Sequence, residues 1–127
     1  MLLFEEESYA IIGTCIDVHK KMGNGFSDDV YREVLEKEFI KRKIPFEREK
    51  KLDLYYDGIQ LDNHFTADFV CNDKILIEVK SADCIKEEET RQTVNSLKAT
   101  NFELGLLINF GEVSLKWKRL INTPISN

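Results

Sequence analysis

The residues with the clearest chemical potential lie within one stretch, FTADFVCNDKILIEVK from Phe65 to Lys80, which holds Asp68, Glu78 and Lys80. Side chains alternate between the two faces of a strand, so Phe65, Ala67 and Phe69 are expected on one face and Thr66 and Asp68 on the other. In the next segment Ile75, Ile77 and Val79 form an apolar face, which leaves Glu78 and Lys80 together on the opposite one. Pairing the two segments as a hairpin must bring both apolar sets to one core, and a slip of one residue breaks that match. A two-residue turn at Asn72-Asp73 sets Asp68 against Ile77, on the wrong face, whereas a three-residue loop aligns odd with odd and even with even. The three-residue loop is therefore expected, and with it Asp68, Glu78 and Lys80 converge on one face.

Ionised groups projecting from the middle of a sheet are costly unless they are paired or bound to a cation. Two readings follow. If that face is open to water, Lys80 bridges the two acids as a surface ion pair worth about 0 to 1 kcal/mol. Alternatively the group is a magnesium site, in which oxygen ligands from Asp68 and Glu78, with the backbone carbonyl of Val79 between Glu78 and Lys80, suit a cation that keeps several waters. Lys80 would then orient or deprotonate an attacking water, or stabilise charge developing on a phosphate.

The elements that position these residues are legible in the periodicity. Ile11, Ile12, Cys15, Ile16, Val18 and Met22 recur at helical spacing over 8–22, and Gly23-Asn24-Gly25 stops the pattern. A second helix is expected over 27–43, with Ser27 or Asp28 as N-cap, a stripe of Val30, Tyr31, Val34, Leu35 and Phe39, and an end set by Ile44-Pro45. Extended segments are expected at 45–50, 51–57 and 60–70, with Asp57-Gly58 as the turn between the last two. KILIEVK, 74–80, is the clearest strand, and 87–100 returns to a helical pattern with Glu87, Glu88 and Glu89 in its first turn. The continuously apolar run 104–110 reads as a strand buried on both faces, and a last strand is expected near 114–120. The order of two helices, a run of strands, one helix and two strands predicts an α/β fold with a mixed sheet flanked by helices.

The chain has 127 residues, 43% hydrophobic and 32% charged, which predicts a single domain spanning 1–127 and excludes a disordered polymer. No apolar run approaches the roughly 18 to 20 residues that span a bilayer, and MLLFEEESYA has acids where a secretory signal carries basic residues. A soluble, cytoplasmic protein with no membrane partner is expected. Cys15, Cys71 and Cys84 show no CxxC spacing, which argues for reduced thiols over a disulfide framework or a structural zinc site. The net charge of -5 repels nucleic acid as a whole, so such a partner would be held by local basic patches or by metal ions. Candidate patches are Lys41-Arg42-Lys43, Arg48 with Lys50-Lys51, and Lys116-Trp117-Lys118-Arg119, the first two diluted by Glu36, Glu38, Glu47 and Glu49. His19 and His64 are too far apart in sequence to form a metal motif, and Tyr31 and Phe39 read as core residues.

Asp68 followed by Glu78-Val79-Lys80 resembles the D…(E/D)xK signature of the PD-(D/E)XK nuclease superfamily, the restriction-endonuclease-like fold. In order along the chain, Ile16-Asp17-Val18-His19, Gly23-Asn24-Gly25-Phe26, Val30-Tyr31, Glu78-Val79-Lys80, Leu97-Lys98-Ala99-Thr100 and Gly105-Leu106-Leu107-Ile108-Asn109-Phe110-Gly111 resemble the GxxExxY branch of that superfamily. The resemblance implies an αβββαβ core, here with an extra N-terminal helix and a C-terminal strand, and a magnesium- or manganese-dependent nuclease acting on DNA or RNA. It also implies a role for Gln92, which matches a glutamine that related nucleases place beside the site. The name-giving glutamate falls at Asp28. On a helical wheel of about 100° per residue Asp28 lies roughly 70° from the centre of the apolar stripe and Glu33 about 150° away, so Asp28 is the better helix-borne third carboxylate. A plain capping role for Asp28 stands beside that one. Ala67 replaces the proline of the pattern, and Ser96 stands in place of a tyrosine.

These readings give Asp68, Glu78, Lys80, Asp28 and Gln92 as catalytic candidates, with Asp68, Glu78 and the Val79 carbonyl as metal ligands. A domain of this size has little room for a separate recognition module, so a homodimer or a protein partner would supply specificity. The rival readings are a catalytically inactive interaction module on the same fold, and a metal-dependent hydrolase of another phosphate ester.

Overall fold

A computed structural model describes residues 2–122. It contains helices α1 (Glu5–Met22) and α2 (Asp28–Lys41), strands β1 (Phe46–Tyr56), β2 (Ile59–Cys71) and β3 (Ile75–Lys80), helix α3 (Glu87–Thr100), and strands β4 (Leu104–Asn109) and β5 (Lys116–Ile121). The five strands form one sheet in the order β1-β2-β3-β4-β5. Only the β3–β4 pair is parallel, and α3 provides the crossover such a pair requires. The segment from α2 to β4 is the expected αβββαβ core, with α1 before it and β5 after it.

The apolar stripes explain the layering. Ile11, Cys15 and Val18 of α1 and Tyr31, Leu35 and Phe39 of α2 pack on Phe69, Ile77, Val79, Leu106 and Ile108, which form the main core on one side of the sheet. A smaller core on the other side joins Leu97 of α3 to Leu52, Ala67, Val70 and Leu76. Every residue of β4 is buried, as its unbroken apolar run requires. Gly105 lies under Leu97, where an added Cβ would come within 3.1 Å of the leucine, so its lack of a side chain lets α3 sit close to the sheet.

Two boundaries differ from expectation. The extended segments 45–50 and 51–57 are one strand, because Glu49 absorbs an irregularity in a left-handed conformation (φ 52°) while pairing resumes in the same register beyond it. Helix α2 ends at Lys41 rather than at the proline. Lys43 adopts φ 58°, its N–H donates to the Ile40 carbonyl, and the Ile44 N–H donates to the Phe39 carbonyl, which is a Schellman closure completed before Pro45.

The hairpin registers follow the sequence closely. Asp57 and Gly58, both at positive φ, close β1–β2 with Tyr56 opposite Ile59. Between β2 and β3 the pairs are Cys71 with Ile75, Val70 with Leu76 and Phe69 with Ile77, so the loop is the three-residue Asn72-Asp73-Lys74 that parity requires. One alternation is corrected. Phe65 and Ala67 pack with the α3-side core while Phe69 packs with the α1/α2-side core, so the three do not share a face. Phe46 and Leu52 of β1 divide in the same way. The change of face falls between Phe69 and Ala67, at Asp68, across from the left-handed Glu49.

At the ends of β3 and β4, the fully buried Asn109 holds the loop that follows Lys80. Its Oδ1 accepts the N–H groups of Ala82 (2.9 Å) and Gly111 (3.1 Å), and its Nδ2 donates to the Ala82 carbonyl and to Glu112 (both 2.9 Å). A Cβ on Gly111 would collide with the Ala82 backbone in this turn. Gly111→Ala is therefore expected to cost about 1 to 3 kcal/mol in urea-unfolding stability, because backbone rather than a flexible side chain must move. An unchanged midpoint would show that the turn tolerates the methyl group.

Candidate active site

The regular ladder between β2 and β3 ends at the pair Phe69–Ile77. The next step would set Asp68 opposite Glu78. Instead, the Asp68 carboxylate takes over the role of the neighbouring strand: Oδ2 accepts the backbone N–H of Val79 at 2.8 Å. In an extended strand the N–H and C=O of one residue point the same way. The Val79 carbonyl therefore faces the gap that opens where the strands part. The other oxygen of Asp68, Oδ1, lies 3.5 Å from the Arg32 guanidinium, which also bonds Asp29 one turn earlier on α2.

Glu78 and Lys80 turn toward α3. They line a cleft of about 130 Å³ together with Thr66 of β2 and with Glu89, Gln92 and Ser96 of α3. Glu78 Oε1 is buried and has no hydrogen-bond partner among the described residues. Its carboxyl is pushed up to about 9, first by burial and then by the charge and hydrogen bonding of Asp68, while Lys80 and Arg32 pull it down. A metal-free Glu78 therefore carries its proton at neutral pH. Arg32 is held firmly charged: burial opposes the charge, but the hydrogen bond to Asp29 and the charges of Asp68, Asp29 and Asp28 outweigh it. Lys80 makes no ion pair with Asp68 or Glu78; it is Arg32 that pairs with Asp68.

Each candidate can now be placed. Asp68 and Glu78 adjoin at the strand opening, and Glu78 and Lys80 share the cleft on the α3 side, so Glu78 neighbours both of the others while Asp68 lies between the strands and does not line the cleft. Gln92 lines the same cleft, on the helix face turned away from the Leu97 core. Asp28 does not join them. It lines a separate open depression with Asp29, Arg32 and Ser81, and acts on Arg32 by charge. Among the described residues no three His, Cys, Asp or Glu side chains cluster to hold an ion by themselves.

Sequence reasoning missed Arg32, Glu89 and Asn109. Glu89 had been absorbed by its role at the helix start, where its Oε1 does accept the Lys86 N–H (3.1 Å). Asn109 carried a signal, a polar residue inside an apolar run, and Arg32 carried none. His19 is a hydrogen-bonded residue, with Nε2 2.9 Å from the Glu112 carbonyl, and the half-exposed His64 sits 3.5 Å from Asp53. Tyr31 is buried, stacks on Phe110 at 4.6 Å between ring centres, and donates its hydroxyl proton to the Gly23 carbonyl. In the first two basic patches Arg42 pairs with Asp17 and Glu38, Arg48 with Glu36 and Lys50 with Glu47; in the third, Lys118 donates to the Thr90 hydroxyl at 3.1 Å. The three cysteines are free. No helix among the described residues is long and apolar enough to cross a membrane.

Comparison with known proteins agrees with this architecture. The PD-(D/E)XK nuclease superfamily family model matches residues 5–120. The chain belongs to that superfamily. Members of the PD-(D/E)XK superfamily generally depend on a divalent metal. The solved crystal structure of SSO0001 is similar in fold, with a TM-score of 0.54 and 19% identity over 78% of this chain and 52% of that one. The chain thus spans about half the length of that protein. Among curated proteins there is no match.

The raised carboxyl gives a signed prediction. Glu78 binds its proton more tightly in the folded chain than in the unfolded one, so its contribution to stability is complete below about pH 4.5 and is lost as pH rises toward about 9. In chelator, Glu78→Gln should therefore gain on the parent protein across that window, by no more than about 1.4 kcal/mol per pH unit. Urea unfolding at three pH values measures this, and parallel stability curves for the two proteins would refute it.

Proposed function

We propose that this chain hydrolyses phosphodiester bonds in nucleic acid with the help of magnesium or manganese, and that it lies in the GxxExxY branch of its superfamily. The observation that carries the reading is Glu78 Oε1, a buried acceptor without a partner beside a second carboxylate, at the point where two strands separate. A polar atom is left in that condition at a cost of about 1 to 3 kcal/mol unless it has a ligand to meet. The donor set fits a hard divalent cation: two carboxylates and the outward-facing Val79 carbonyl, all oxygen.

Asp68, Glu78 and the Val79 carbonyl would hold the ion, which when bound polarises a phosphoryl oxygen and lowers the pKa of a water ligand. The remaining work falls to the protein's own groups. The Val79 N–H fixes the rotamer of Asp68, so this carboxylate is already oriented. Lys80, with its ammonium in the cleft beside Glu78, orients a nucleophilic water and stabilises charge on the phosphate. The Gln92 amide, on the opposite wall, offers a donor and an acceptor to the same water or to the sugar-phosphate backbone. Asp28 acts through Arg32 instead of as a third ligand.

Mn2+ binding followed by calorimetry should be lost in Glu78→Ala. In the parent protein it should release about one proton at pH 7, read from buffers of different ionisation enthalpy, because Glu78 must ionise to bind. Single-stranded, duplex and RNA substrates should be cut with Mg2+ or Mn2+, and Lys80→Ala should slow cleavage by about 10² or more. Metal binding without cleavage of any of the three would favour a non-catalytic interaction module on the same fold.

A further inference from the structure

Both oxygens of Asp68 are committed in the structure, Oδ2 to the Val79 N–H and Oδ1 to Arg32 at 3.5 Å. The two commitments differ in kind. The amide is part of the strand and cannot leave, whereas Arg32 reaches in from α2 with a side chain that is 18% exposed. Arg32 also has a second partner: Asp29, one turn back on the same helix, is 83% exposed and bonds the same guanidinium. Asp28 adds its charge from the adjoining depression, where Arg32 borders Ser27 and Ser81. A guanidinium forked between a fixed interior acid and a surface acid can release the interior one and remain paired.

We propose that Arg32 is the resident countercation of Asp68, which a divalent cation displaces on binding, and that Asp29 retains the arginine once it is displaced. The inference rests on the metal reading given above. Without a cation at the strand opening, Asp68 is an anion beside the buried Glu78, and Arg32 supplies the compensating charge. With a divalent cation present that charge becomes surplus, and two cations compete for Oδ1. The exchange is local, because the Val79 N–H keeps the carboxylate in place throughout. Arg32 therefore lowers the affinity for metal and stabilises the metal-free protein, two effects of one contact.

Mn2+ titration of the parent protein, Arg32→Gln and Arg32→Lys, each checked for a cooperative thermal melt, tests this. Removal of the competitor should tighten Mn2+ binding about three- to tenfold in Arg32→Gln. The Lys variant separates displacement from a simple field effect. It keeps the charge but loses the fork, so it should also bind Mn2+ more tightly than the parent; a field effect alone would leave it at the parent value. In chelator, Arg32→Gln should melt below the parent, and Mn2+ should raise its melting temperature by more than it raises the parent's. If Arg32→Gln does not fold, the Lys variant and its Mn2+-induced melting shift carry the test. Equal Mn2+ affinities in the folded variants and the parent overturn the role of Arg32 and leave the metal centre standing. No Mn2+ binding by any of the three overturns the metal centre, and the exchange with it.

Discussion

Where β2 and β3 part, a side chain takes the place of a strand: Asp68 accepts the Val79 N–H, which a continued ladder would have turned to Ala67. This substitution keeps a buried donor satisfied while it ends the sheet pairing, so the backbone bears no orphaned amide at the opening. It fixes one carboxylate, turns the Val79 carbonyl into the same gap and leaves Glu78 beside an anion. The elevated proton affinity of Glu78 follows from that placement and from burial. Even the arginine on α2 is drawn in by the charge that the arrangement creates.

Much of this was legible from residue types and spacing. The parity of Ile75, Ile77 and Val79 against Phe65, Ala67 and Phe69 was enough to select a three-residue loop over a two-residue turn, which would set Asp68 against Ile77. Asp57-Gly58 announced its hairpin, and the proline-free apolar run of β4 announced a strand covered on both sides. The failures have a common cause. Alternation is a local rule, and it assumed an unbroken strand through Asp68, where the left-handed Glu49 opposite marks a change of face that turns Phe65 and Ala67 to the other core without a change of register. Likewise the end of α2 was assigned to Pro45 because a left-handed lysine leaves no mark in composition, whereas proline does. Arg32 was invisible for another reason: its importance comes from an aspartate thirty-six positions away, a juxtaposition that helix periodicity cannot encode.

The net charge of -5 is unevenly distributed over the fold. The arginines near α2 and β1 are matched to nearby acids, Arg42 to Asp17 and Glu38 and Arg48 to Glu36, which reduces the positive field on that side of the sheet. At the strand opening Asp68 and Glu78 lie between Arg32 on one side and Lys80 on the other, with Asp28 and Asp29 in a separate depression beside Arg32.

Gly105 sets the depth of the cleft without lining it. Its bare Cα lets Leu97 settle against β4, and α3 is a rigid rod whose opposite face carries Gln92 and, nearer its start, Glu89. A methyl group beneath Leu97 would press on the tip of that side chain, which would have to give by a few tenths of an ångström on the face of α3 that meets the sheet. How closely α3 lies on the sheet is thus set from beneath the helix by the one residue of β4 that has no side chain.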